Sequence, residues 1–275
     1  MPLSSASKNN IQRVAVLLSF GLAAVTTFYY LSGRGIAGGH QSEAFHRIEY
    51  TPFTPSVFFV LLYWVAMCIG QIAFLHQFIA GVTDAQKDAS RAANFLTLFN
   101  VLHFLWLISL ANRHFFSALV VMTLSFLLTG TLYWSNRTHN LTPVMRWLTI
   151  HLTAAAMPFA WSLFALFWTG AIAAHSHNLF GRLIANIFIW ALYVIPTACM
   201  ITFADWGLGF AEGFLVWGLF VGQILVKTIA LQWIFAVIIA SLLTVQSGVV
   251  LFSTSFKGLI GRERHELNEE TPLIH

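Results

Sequence analysis

Eight apolar runs, each long enough to cross a bilayer, follow one another with almost no polar sequence between them. They are Val14 to Leu31, Val57 to Ala80, Ala93 to Ala111, Phe115 to Trp134, Trp147 to Ala171, Leu183 to Phe203, Phe214 to Leu231 and Trp233 to Phe252. A hydrocarbon core about 30 Å thick takes roughly 20 mostly apolar residues per helix. Lipid offers no hydrogen-bond partner to the backbone, so runs of this length without alternation must close their bonds internally, as helices. The chain is therefore expected to be an all-α, polytopic transmembrane helical bundle over residues 14–252, flanked by tails of residues 1–13 and 253–275. At 9% charged residues, against about 25% in soluble domains, the stretches outside the runs leave no room for a soluble catalytic domain.

The last two runs leave the count open between eight and seven. Phe214 to Phe252 is 39 residues, about 58 Å as a helix and nearly twice the bilayer core, so the chain must turn near Lys227 to Trp233. With eight spans, one face carries nine Lys and Arg (Lys8, Arg13, Lys87, Arg91, Arg137, Arg146, Lys257, Arg262, Arg264) and the other carries five (Arg34, Arg47, Arg113, Arg182, Lys227). The positive-inside rule then places both termini in the cytosol. The net charge of +4 is scattered singly over short connections, a pattern of topology that excludes nucleic acid as a partner and leaves the lipid bilayer. On this topology Asn136-Arg-Thr138 and Asn140-Leu-Thr142, both glycosylation tripeptides, face the cytosol and stay unmodified. The first run, too long for a signal peptide and without a small-x-small cleavage site, reads as a retained anchor.

Ionisable and amide groups within spans are costly and are the default functional candidates. They are Gln71, His76, Asn94, Asn100, His103, His151, Asn186, Gln223, Lys227 and Gln246. Asn100 and His103 stand three apart and share a helix face. Packing of the second span on the fifth would bring His76 and His151 together. Haem ligation by His76, His103 and His151 is one reading, and hydrogen bonds to neighbouring carbonyls are the other. Asp205 and Glu212 fall in a Gly-rich segment read as a turn, which leaves no buried acid to couple transport. Pro158 and Pro196 interrupt the fifth and sixth spans. Cys68 and Cys199 lie inside apolar runs and read as core residues. No nucleophile-base pair or metal-spaced cluster stands out, so no catalytic residue and no metal is expected, the protein is not expected to be an enzyme, and its cofactor is unknown.

Gly218-x-x-x-Gly222 lies in the seventh span and lets helices pack closely, within this chain or against a second copy. Trp64, Trp106, Trp161, Trp190 and Trp217 lie away from the span boundaries and could line a pocket for a flat hydrophobic ligand or simply fill the core. Leu128-x4-Tyr133-x3-Arg137 fits a proposed cholesterol pattern. In the C-terminal tail, Glu269, Leu273 and Ile274 have the form of an acidic dileucine signal, which a coat adaptor reads as one charge and two apolar side chains in a groove. Read so, it implies an endosomal or vacuolar membrane, and the bland alternative is an accidental match in a disordered tail.

Taken in order, Ser32-Gly-Arg-Gly35, Tyr50-Thr-Pro-Phe-Thr-Pro-Ser-Val-Phe-Phe59, Phe104-Leu-Trp106, Phe115-Phe-Ser117 and Trp217-Gly-Leu-Phe-Val-Gly222 give a chain similar to uncharacterised fungal membrane proteins and to long members of the tryptophan-rich sensory protein family, relatives of the translocator proteins. Tyr63 stands where that family has Trp, with Trp64 after it, and His103 takes the place of a second Trp. The resemblance implies a helical bundle that binds tetrapyrroles or sterols, with Trp64, Asn100, His103 and Trp106 near the pocket. Three functions follow: a protein that binds, senses or transports a hydrophobic small molecule, with Trp161 and Trp190 also lining the site; a structural or adaptor protein packing through Gly218 and Gly222; or a haem oxidoreductase.

Overall fold

The computed structural model describes residues 5–31, 51–80, 83–135, 138–176, 179–224 and 231–269. Its helices are α1 (Ser5–Leu31), α2 (Val57–Ala80), α3 (Thr83–Ala111), α4 (Phe115–Ser135), α5 (Val144–Ala173), α6 (Leu179–Phe188), α7 (Ala191–Phe203), α8 (Trp206–Ile224) and α9 (Leu231–Glu269). No strand occurs among the described residues. Eight spans are long and apolar enough to cross a membrane, the sixth formed by α6 and α7 together over Leu183–Phe203. The chain is an all-α integral membrane bundle, and the seven-span alternative is not needed.

The bundle is built around α5. Of its span 83% is buried, against 28–56% for the others. α2, α3, α4 and α8 pack against it; α1 lies on α2 and α3, while α9 and α7 lie on α8. The outer surface is apolar, and the buried polar groups sit within a largely apolar interior. Ile201, Phe116 and Ile187 are 81%, 76% and 72% exposed, whereas Gln71, Asn100, His103, His151, Glu212 and Ser247 are buried. Lipid is as apolar as a protein core, so outward leucines and isoleucines cost nothing, and hydrogen-bonding groups gather where other helices supply partners. Between Trp147 and Ala156 α5 widens into a π-helix, directly before Pro158. Proline has no N–H to give to the preceding turn and its ring crowds the carbonyl four residues back, and a wider turn accommodates both.

Two boundaries differ from expectation. The seventh span begins at Trp206, eight residues before the apolar run marked in the sequence, and takes in the segment read as a turn. Glycine there serves close packing: a Cβ on Gly207 would stand 2.6 Å from the Trp147 ring and 3.0 Å from Leu152. The helix starts where it does because Asp205 caps it, its Oδ1 accepting from the N–H groups of Gly207 and Leu208 at 3.0 and 3.3 Å. Glu212 thus lies inside a span, fully buried, with no hydrogen-bond partner on either oxygen. The expectation that no acid is buried is corrected by Asp205 and Glu212 alike. At the other end, α9 runs through Glu269, so the tail expected from residue 253 is helical as far as the acidic residue of the dileucine pattern. Leu273, Ile274, Lys227, Asn136 and Arg137 lie outside the described residues.

Candidate functional site

Four of the expected pocket residues do meet. Trp64 from α2, His103 and Trp106 from α3 and Trp161 from α5 form one aromatic cage, with the Trp64 and His103 rings stacked at 4.0 Å and Trp161 edge-on to Trp64 and Trp106 at 5.4 and 5.9 Å. The cage encloses about 10 Å³, barely the room of one water molecule. It is packed shut by its own rings. Thr27 of α1 gives its hydroxyl proton to the Ala23 carbonyl at 2.7 Å and so accepts from His103 Nε2 at 2.9 Å, which leaves Nδ1 as a buried lone pair without a partner. The indole N–H groups of Trp64 and Trp161 are likewise buried and unpartnered, while Trp106 donates to Thr169 at 2.9 Å.

Asn100 does not reach into the cage as a free polar group. It pairs with Gln71 through two reciprocal amide bonds of 2.8 and 3.2 Å, which join α2 to α3. Trp190 stands apart, partly exposed between α6 and α7 and packed on Tyr193 and Phe235. His76 is exposed on α2 and His151 is buried in α5, so packing of those two helices does not pair them. His76, His103 and His151 therefore do not form a haem site. Tyr133 of the cholesterol pattern is turned inward and donates to Asp205, away from lipid. Gly218 and Gly222 face this chain's own second helix and the turn before it: a Cβ on Gly218 would lie 2.7 Å from Phe59 of α2, and one on Gly222 would lie 2.7 Å from backbone atoms of Pro55 and Ser56. Gln223 holds the same turn by donating to the carbonyls of Thr51 and Thr54 at 3.0 and 3.1 Å.

The open space lies elsewhere. A cavity of about 480 Å³ sits between α4, α5 and α6, lined by Phe53, Phe167 and Phe188 together with the small residues Gly170, Ala171, Ala174 and Ala185. Its lining carries one hydroxyl, Ser176, which donates to the Ala171 carbonyl at 3.0 Å. The cavity reaches the lipid-facing surface at Ile184 and Phe188, both exposed. A second apolar recess of about 410 Å³ lies between α2, α5 and α8 and is lined by Tyr63, Trp206, Phe210 and Phe214 among others.

On the opposite face of the bundle is a polar cluster that sequence reasoning missed. It gathers Tyr133 from the end of α4, Thr138 and His139 from the 3₁₀ turn Thr138–Asn140, His151 from the π-helical part of α5, and the α8 cap Asp205. Asp205 Oδ2 accepts from the Tyr133 hydroxyl at 2.7 Å and from His151 Nε2 at 2.9 Å, and His151 Nδ1 then accepts from the Thr138 hydroxyl at 2.8 Å. His139 is stacked on Phe203 at 4.2 Å, with its ring 4.6 Å from that of His151 and its Nε2 buried without a partner. Burial pushes the His139 imidazole down to about 4; proximity to His151 adds to this and Asp205 opposes it. For Asp205 burial works upward, but the hydrogen bonds from His151 and Tyr133 outweigh it and hold the carboxyl below its ordinary range. The Asp cap was the one legible signal, since Asp immediately before a helix is a start marker. Nearby, Arg146 pairs with Asp88 and ties α5 to α3.

Residues 182–274 match the family described as "Fungal protein of unknown function (DUF1774)". An uncharacterized protein of Schizosaccharomyces pombe is 35% identical over 89 residues, 31% of this chain and 32% of the relative. The chain thus spans about a third of the length of the curated relative it matches. No solved structure matches. The expected likeness to uncharacterised fungal proteins is met over this C-terminal third, which contains Asp205, Glu212, Gly218 and Gly222.

Proposed function

We propose that this protein binds a sterol-class lipid taken from the bilayer, in the cavity between α4, α5 and α6. The observation that carries this reading is the cavity itself. Its volume of about 480 Å³ falls in the range of small-molecule sites, roughly 300–1,000 Å³. A lining of glycine and alanine with three phenylalanines suits a flat fused-ring hydrocarbon. A sterol needs one polar partner for its hydroxyl, and Ser176 keeps acceptor capacity after its bond to Ala171. A tetrapyrrole would need ligands or cations for its metal and carboxylates, and the lining has neither. The resemblance to tryptophan-rich sensory proteins supports the same ligand class, with the site moved from the closed Trp64 cage to the lipid-facing side.

Photo-crosslinking with a diazirine sterol tests the reading on protein purified in mild detergent. The label is expected on peptides around Leu166–Ala174, and Gly170→Leu should abolish it by filling the cavity. Labelling that is absent, or unchanged in Gly170→Leu, would overturn it. The charge asymmetry and the Glu269, Leu273, Ile274 pattern support cytosolic termini and delivery to a vacuolar or endosomal membrane by a coat adaptor. Replacing Leu273 and Ile274 with alanine should then redirect the tagged protein, and unchanged sorting would remove that part.

A further inference from the structure

We propose that His139, His151 and Asp205 form a binding site for a divalent first-row transition ion of the zinc type, clamping the ends of α4, α5 and α8 at one face of the membrane. One ligand atom from each residue lies within 4.8 Å of the other two. Donor atoms that share a tetrahedral ion at about 2.0–2.2 Å stand roughly 3.3–3.6 Å apart, so the widest pair has to close by up to about 1.5 Å. Two imidazole nitrogens and a carboxylate oxygen are a donor set that zinc, cobalt and their neighbours take, with water in a remaining position.

Three further features belong to a metal site more than to a structural hydrogen-bond cluster. His139 Nε2 is buried with nothing bonded to it, while its ring is fixed on both sides, stacked on Phe203 and edge-to-face with Tyr133 at 4.7 Å. A buried ring nitrogen held in place without a partner is costly unless something occupies its lone pair. The supporting shell is also built. Asp205 is oriented by the Gly207 and Leu208 amides on Oδ1 and by the Tyr133 hydroxyl on Oδ2, and His151 has Thr138 on its Nδ1. Such outer partners set ligand tautomer and orientation in metal sites. When a metal takes His151 Nε2, the proton moves to Nδ1 and the Thr138 oxygen accepts it, so the same contact serves both states. Finally, Trp147 and Trp206, packed at 4.5 Å, cover the cluster beside His151 and limit water access.

The test uses the full chain, purified in mild detergent through a tag without histidine, stripped with chelator and titrated with Co²⁺ and then Zn²⁺. One Co²⁺ per chain is expected, with visible d–d absorption of a four- or five-coordinate nitrogen–oxygen site that Zn²⁺ bleaches. His139→Phe keeps an aromatic ring on Phe203 while removing both imidazole nitrogens, of which Nε2 has no partner, and a cooperative unfolding transition checks that the variant folds. It should lose the absorption and bind at least 10–100-fold more weakly. His76→Ala and His114→Ala, at exposed positions, should leave uptake unchanged. No stoichiometric uptake by the wild-type chain, or equal uptake and spectra in a folded His139→Phe, would overturn the site and leave a metal-free Tyr133–Asp205–His151 hydrogen-bond network. Sterol labelling at the α4–α6 cavity is read separately, and neither result decides the other.

Discussion

Replacing Gly222 with alanine drives a methyl group into backbone. The new Cβ would stand 2.7 Å from the Pro55 carbonyl carbon and the Ser56 nitrogen and 2.8 Å from the Thr54 oxygen. Ordinary contact begins at 3.4 Å, so the turn has to retreat by about 0.7 Å. None of the three atoms can rotate away as a side chain would. The retreat strains three hydrogen bonds that fix the turn to α8: the two from Gln223 and the bond from the Ser56 amide to the Gly218 carbonyl at 2.8 Å. Overpacking of this kind costs about 1–3 kcal/mol, and each weakened bond up to about 1 kcal/mol more. Alanine returns up to about 1 kcal/mol through helix propensity. The net expectation is a loss of roughly 2–3 kcal/mol. Gly248 on α9 is the matched control, because nothing lies within 4 Å of a Cβ placed there, and Gly248→Ala should be neutral or slightly stabilising. Thermal and denaturant unfolding in the same detergent, followed by tryptophan fluorescence, compares the two. Equal midpoints for Gly222→Ala and Gly248→Ala would refute the claim that α8 is seated on the Thr51–Pro55 turn.

Two other expectations follow from buried polar groups. Gln71→Leu and Asn100→Leu each leave the partner amide unpaired and should each destabilise by about 1–3 kcal/mol; the double variant should lose less than the two together, with a coupling of about 0.5–2 kcal/mol in a double-mutant cycle. Chelator-treated protein should become less stable as pH falls from about 6.5 to 4. An unfolded histidine takes its proton near 6.5, whereas folded His139 takes it only at about 4, so acid favours the unfolded chain across that window. Unfolding midpoints measured against pH should show this slope, and His139→Phe should flatten it.

The spans were legible because bilayer thickness fixes how many apolar residues a helix must string together, and the eight runs could satisfy that in no other way. Boundaries were less so. Asp205 and the glycines after it are turn residues by composition, yet Asp205 caps a helix there and Trp147 leaves no room for a side chain at Gly207. Spacing of three pointed to one face for Asn100 and His103, but nothing in sequence says that Trp64, Trp106, Trp161 and Thr27 close the space around His103. Trp190 shared the chemistry of the other tryptophans and not their place. The His139, His151 and Asp205 cluster draws on parts of the chain 12 and 54 residues apart, and no local pattern encodes such a meeting. The lipid-facing cavity is made by small residues, Gly170, Ala171 and Ala185, that sequence reading passes over as ordinary span material.

The most direct measurement is native mass spectrometry of the delipidated protein titrated with a sterol, run for the wild-type chain, Gly170→Leu and His103→Phe. Binding in the α4–α6 cavity predicts one sterol per wild-type chain, none on Gly170→Leu and an unchanged count on His103→Phe, since the aromatic cage is already full. A sterol retained by Gly170→Leu and lost from His103→Phe would contradict that account and return the ligand to the Trp64 cage.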